Sequence, residues 1–153
     1  MARVDRLGAS HFNEPSAARS SVSAASAISC LYRHWRTAGL ELERLARELT
    51  RKRFEEALGA LERACISVRI AGDLVGVIER VPCEHSGFTQ ARDLRMALVA
   101  EVIPWLEEAR RELPAAASVL CSAAADEAAR EAVYAAMRQL DGAPAPSQQK
   151  TGS

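Results

Sequence analysis

Cys30 and His34 stand four residues apart, and Cys83, Glu84 and His85 follow one another, so groups of the kind that bind zinc occur at two places in this 153-residue chain. Their spacing matches no zinc ribbon or finger pattern. The expected state is a buried thiol and a surface imidazole, with no metal. Cys83 and His85 also form a nucleophile and base on paper, but residues two apart in a loop rarely converge on one reacting atom, and no third group is placed to orient the imidazole. The carboxylate pairs Glu55-Glu56 and Glu107-Glu108 adjoin basic residues and read as charge on solvated helix faces. No Gly-rich phosphate loop, nucleophile elbow or HExxH motif occurs. The residues therefore point to a non-enzymatic protein that needs no cofactor.

Two charged features call for a closer reading. Leu45-Ala-Arg-Glu-Leu-Thr-Arg-Lys-Arg-Phe54 resembles the first helix of a helix-turn-helix, with a basic segment at Arg51-Lys52-Arg53, but it lacks the turn glycine. Twenty basic residues balance twenty acidic ones, so no global field draws the chain to nucleic acid or anionic lipid, and nucleic acid is not the expected partner. Glu101 is the one charge inside an apolar stretch, and it is expected to face a narrow solvent stripe. The four cysteines, Cys30, Cys65, Cys83 and Cys121, show no short-range pairing pattern and read as free thiols of a reducing compartment. Met-Ala-Arg-Val-Asp-Arg lacks the apolar core of a secretory signal, and no apolar run is long enough to span a bilayer. The expected location is the cytoplasm.

The elements that must position these residues are helical. Apolar residues make up 48% of the chain but aromatics only 5%, the balance being mostly Ala, Leu and Val, which favours helix over sheet. Residues 1–21 read as a flexible arm, 22–141 as an all-α domain and 142–153 as a disordered tail. Ile28, Leu31, Tyr32 and Trp35 give a first helix over 22–38, with Gly39 as its stop. Leu42, Leu45 and Leu49 continue the period until it slips at Arg51–Arg53. Phe54, Leu58, Leu61, Cys65 and Val68 then restore it, which requires two helices or one kinked one. Gly72 marks a weak point or a close helix contact, and Pro82–Gly87 reads as a loop. Leu94–Leu106 is apolar on nearly every side, as expected of a central buried helix with Thr89 as N-cap. Pro104 either kinks that helix or starts another, and Pro114 follows its exit into solvent. Asp126–Leu140 forms the last helix, with Ala129, Val133, Ala136, Met137 and Leu140 facing inward and Gly142 ending it. The expected fold is a single all-α bundle of six or seven helices around the buried Leu94–Leu106 helix.

Two segments resemble the Bcl-2 family, including the Bcl-2-like proteins that poxviruses use against host signalling. Ile28, Leu31 and Trp35 followed by Gly39 and Glu41 resemble its first helix. Ala64, Val68, Ala71 and Val75 around Gly72-Asp73 resemble a BH3 segment. The chain departs from the family in having Val68 where BH3 has Leu, no Asn-Trp-Gly-Arg motif and no apolar C-terminal anchor. The resemblance implies regulation of apoptosis or innate signalling in a host–virus interaction, by holding a partner's amphipathic helix, a signalling adaptor or a second copy of the chain as a homodimer. The groove it implies is lined by Leu58, Leu61, Val68, Leu98 and Val102. The alternative function is a small helical transcriptional regulator or ligand-binding bundle working through Arg51–Arg53.

Overall fold

The computed structural model describes residues 16–80 and 89–142, with side chains from 26 to 80 and from 95 to 142. Four helices account for nearly all of them: α1 (Ser16–Thr50), α2 (Phe54–Arg80), α3 (Thr89–Ala123) and α4 (Glu127–Asp141). The all-α expectation holds; the expected six or seven helices are four among the described residues. The Pro82–Gly87 loop, the 142–153 tail after Gly142 and most of the N-terminal arm lie outside the described residues. Helix α1 starts at Ser16, inside the stretch read as arm.

Two expected breaks, at Gly39 and Pro114, are absent and no new helix starts at Pro104, and packing explains each. Gly39 does not end α1, which runs on to Thr50. Gly39 has no left-handed φ, a Cβ there would meet the Trp105 indole at an ordinary contact distance of 3.9 Å, and the buried stripe of Leu31, Ala38 and Leu45 runs straight past it. Helix α3 passes through both Pro104 and Pro114. Each proline forfeits an amide donor at a cost of about 3 kcal/mol. Both are exposed, and so are Ala100 and Arg110, whose carbonyls lose their partners and can turn to water. On the opposite side Val102, Leu106, Ala109, Leu113, Ala117 and Leu120 form one buried stripe across both prolines. Burying each large member is worth about 1.5–3 kcal/mol, and the stripe outweighs the two lost bonds.

The helix at the centre is α2, not Leu94–Leu106. Helix α3 is one-sided over that stretch: Leu98, Val99, Val102 and Leu106 are buried, while Met96 is 55% exposed, Ala97, Ala100 and Glu101 face solvent and Trp105 is half-buried. Glu101 thus takes the solvent position expected of it. Helix α2 packs against all three other helices. It does so with two adjoining stripes. Ala57, Ala60, Ala64, Ser67 and Ala71 recur at steps of three and four, and their small side chains let a neighbour approach closely; Leu61, Cys65, Val68 and Val75 form the second. Arg63 Nε reaches Glu41 at 3.1 Å on the α1 side. On the α4 side the Cys65 thiol lies 3.9 Å from the Met137 sulfur, and Arg69 Nε donates to the Gln139 carbonyl at 2.9 Å.

Local signals set the remaining ends. Asp126 caps α4, its carboxylate accepting from the Ala129 amide at 2.9 Å. Gly142 closes it at φ 70°. Between α1 and α2 the Arg53 amide donates to the Glu48 carbonyl at 3.0 Å and the Lys52 amide to the Leu49 carbonyl at 3.1 Å. Those two bonds, with Lys52 at φ 57°, make a Schellman cap in which lysine holds the left-handed place usually given to glycine. The phase slip at Arg51–Arg53 is this cap. Glu41 and Arg63 lie equally far from it, so α1 and α2 form an antiparallel hairpin and not the crossed pair of a helix-turn-helix.

Candidate functional site

Immediately below that cap lies a half-open cleft of about 460 Å³, lined by Glu48, Leu49, Lys52, Arg53, Phe54, Val119, Leu120 and Ala123. Three helices build it. The last turn of α1 brings Glu48 and Leu49, the first residue of α2 brings Phe54, and the last turns of α3 bring Val119, Leu120 and Ala123. Its size falls within the roughly 300–1,000 Å³ of small-ligand sites, which are likewise mostly apolar with a few converging polar groups. Val119 is 54% exposed at the rim.

The charges around the cleft are ordered by Glu48. This residue is 7% exposed, and its Oε1 is buried without a hydrogen-bond donor. Two guanidinium groups flank the carboxylate at ion-pair distance, Arg53 Nε at 3.8 Å from Oε1 and Arg51 Nη1 at 3.9 Å from Oε2. Both are too long to be hydrogen bonds. Lys52 makes no ion pair among the described residues. The turn therefore carries three cations against one buried carboxylate, at the mouth of an apolar cavity. Glu55 and Glu56, the next acids along, are exposed in the first turn of α2, where they oppose its positive end, and neither lines the cleft.

Helices α1 and α3 run parallel on either side of the cleft. Trp35 and Trp105 stack edge to face with ring centroids 6.3 Å apart, and Tyr32 lies 5.9 Å from Trp35 on the outside. Leu49 and Val119 are each fourteen residues further along their helices, so at 1.5 Å per residue the cleft opens about 21 Å from the tryptophan pair. The aromatic contact closes the α1–α3 seam at one level. The cleft is where the seam stands open.

The residues expected to line a groove lie elsewhere. Leu61, Val68 and Val102 have no exposed surface, Leu98 has 7%, and Leu58 is half-buried against the core. Of the BH3-like positions, Ala64, Ala71 and Val75 are core, Gly72 is covered by the Arg110 guanidinium and Asp73 is exposed, 3.7 Å from Arg69. Gly72 thus meets only the end of the exposed Arg110 side chain and no backbone of a neighbouring helix. A partner could touch Leu61, Val68 or Val102 only if helices separated. Glu41 of the first-helix resemblance spends its charge within the bundle, on Arg63 and on Arg44 at 3.7 Å.

Cys30 and His34 belong to no group of three metal-binding side chains among the described residues. The Cys30 sulfur accepts from Arg33 Nη2 at 3.2 Å, and burial, then the Arg33 charge, lowers the His34 pKa, which keeps its imidazole neutral at pH 7. Cys83 and His85 lie outside the described residues. Cys30, Cys65 and Cys121 are free thiols. Glu108 is paired with Arg111 on the surface.

Of the cleft, sequence reading singled out Arg51–Arg53 alone. Leu49 and Phe54 read as ordinary core positions, and nothing in the local pattern sets Val119 opposite them. An unusual cue was present: a cation cluster placed on a break in helical phase, with an apolar residue on each side.

The fold and site together define an all-α bundle, of four helices among the described residues, with a cationic cleft of apolar side chains at the end of its first hairpin. No family model matches the chain, and no curated protein or solved structure matches it. No helix among the described residues is long and apolar enough to cross a membrane.

Proposed function

We propose that the chain is a non-enzymatic helical binding module whose recognition site is the cleft beneath the α1–α2 turn. This keeps the interaction role expected from the sequence and moves its site from the α2–α3 core to the basic segment. The observation that carries it is the convergence of Leu49, Phe54, Val119 and Leu120 from three helices into an accessible cavity bordered by Lys52 and Arg53. Core packing alone does not call for such a cavity. It leaves apolar atoms without neighbours and places cations beside them, a cost that ligand binding would offset.

The test is an amide chemical-shift titration of isotopically labelled full-length protein with 1-anilinonaphthalene-8-sulfonate, a soluble probe with an aromatic apolar body and a sulfonate head. Saturable shifts centred on Leu49, Phe54, Val119 and Ala123, weakened in Val119→Gln, are expected. Val119 is exposed, so this substitution leaves the core intact. Unsaturable or scattered shifts would discard the cleft as a recognition site. Amphipathic BH3-type peptides titrated in the same way test the Bcl-2-like reading, which requires shifts at Leu58 and Leu98 instead.

A further inference from the structure

Building on the cleft as the recognition site, we infer that its ligand is a small anionic amphiphile, a carboxylate or sulfate head on an unbranched or aromatic apolar body. Glu48, nine-tenths buried, is a fixed negative charge that Arg53 and Arg51 flank at 3.8 and 3.9 Å. It gathers both guanidinium groups at the turn while being too enclosed to offer its own charge freely to a ligand. Lys52 is left as the cation without a carboxylate partner among the described residues, and it lines the cleft. The lysine also occupies a left-handed conformation, φ 57°, that a glycine would take without strain. The backbone at this position favours glycine, so the lysine is there for its side chain. Below it the lining side chains are apolar, Leu49, Phe54, Val119, Leu120 and Ala123, and Glu48 is the one acidic side chain of the lining. One negative end and one apolar end complement this arrangement. A cationic head would meet Lys52 and Arg53 at the rim, and an uncharged one would forgo the attraction.

The test compares three probes with ten-carbon chains on the full-length protein, decanoate, decanol and decyltrimethylammonium, each below its micellar or solubility limit and read by amide shifts of the cleft residues. An ion pair at an exposed rim is worth up to about 1 kcal/mol, so decanoate should bind about fivefold more tightly than decanol. Raising salt should erase much of that margin. Lys52→Gln should remove most of the preference for decanoate over decanol with the melting temperature nearly unchanged. Equal affinity for decanoate and decanol, or a preference for decyltrimethylammonium, would overturn the inference and leave the cleft as a site that reads apolar shape or the Glu48 charge. Failure of all three, together with failure of the anilinonaphthalene probe, would remove the cleft itself.

Discussion

Replacing Lys52 with glycine should stabilise the protein. Lys52 holds φ 57° at the C′ position of the α1 cap, and its amide donates to the Leu49 carbonyl. A left-handed conformation costs a residue with a Cβ about 1–2 kcal/mol. Glycine escapes that cost but gives the unfolded chain extra freedom worth about 0.4–1 kcal/mol. The difference leaves Lys52→Gly ahead by roughly 0.5–1 kcal/mol, or a rise of about 1–4 °C in melting temperature for a chain of this length. Lys52→Ala keeps the strain and should be no more stable than the parent. Urea unfolding of the three proteins, with m held equal, measures the gap between glycine and alanine. If glycine gave no gain over alanine, the turn would not be strained and the reason offered for a lysine there would fail. The same glycine variant should bind decanoate more weakly, so stability and binding should move in opposite directions.

The hub assignment separates two truncations: Leu61→Ala, at a site on α2 with no exposed surface, should cost about 2–5 kcal/mol, and Met96→Ala, half-exposed on α3, under about 0.5; comparable losses in urea would return the centre to Leu94–Leu106. Two glycines should respond with opposite signs. Gly72→Ala gains up to about 1 kcal/mol of helix propensity if the exposed Arg110 side chain swings aside, whereas Gly142→Ala, at φ 70° and 3.0 Å from Arg69 Cδ, should lose about 1–2 kcal/mol; thermal unfolding that gave both the same sign would contradict this. Burial, then the charges of Asp141 and Glu62, pushes the Cys65 thiol up to about 12. An unfolded thiol ionises near pH 8.5–9, so the native state keeps a proton that the unfolded state releases: the contribution is complete below about pH 8.5 and is lost towards pH 12, at up to about 1.4 kcal/mol per pH unit. Urea midpoints between pH 8 and 10.5 should therefore fall more steeply for the parent than for Cys65→Ala, and parallel slopes would refute it.

Where structure depends on a residue's immediate neighbours, it was legible in the sequence. Helix α4 could be read almost to the residue, because an aspartate that reaches its own helix amides and a glycine that takes φ 70° are both local devices. The break at Arg51–Arg53 was visible too, since a slip in apolar phase leaves a helix no single face to bury. Gly39 and Pro114 misled, because their local preference to end a helix is worth no more than a few kcal/mol and was set against whole stripes of buried side chains; at Pro104 the same stripe decided between the two alternatives, carrying α3 on. Apolarity likewise misplaced the hub. Leu94–Leu106 is richer in large side chains, but the Ala and Ser stripe of α2 lets a neighbour come close, and a helix with close neighbours on three sides becomes the core.

By itself, then, the sequence determined the all-α class, the position of the first hairpin turn, both ends of the last helix and the basic character of Arg51–Arg53. The tertiary structure decided which helix lies at the centre, that Ala64, Val68, Ala71 and Val75 of the BH3-like segment are core while Asp73 is exposed, and that Leu49, Phe54 and Val119 wall a cleft below those cations. Caps and turns are fixed by interactions within a few residues, which a sequence displays directly. A cavity is fixed by how far apart whole helices are held, and that spacing comes from side chains distant in the chain, among them the Trp35–Trp105 contact that closes the same seam about 21 Å away.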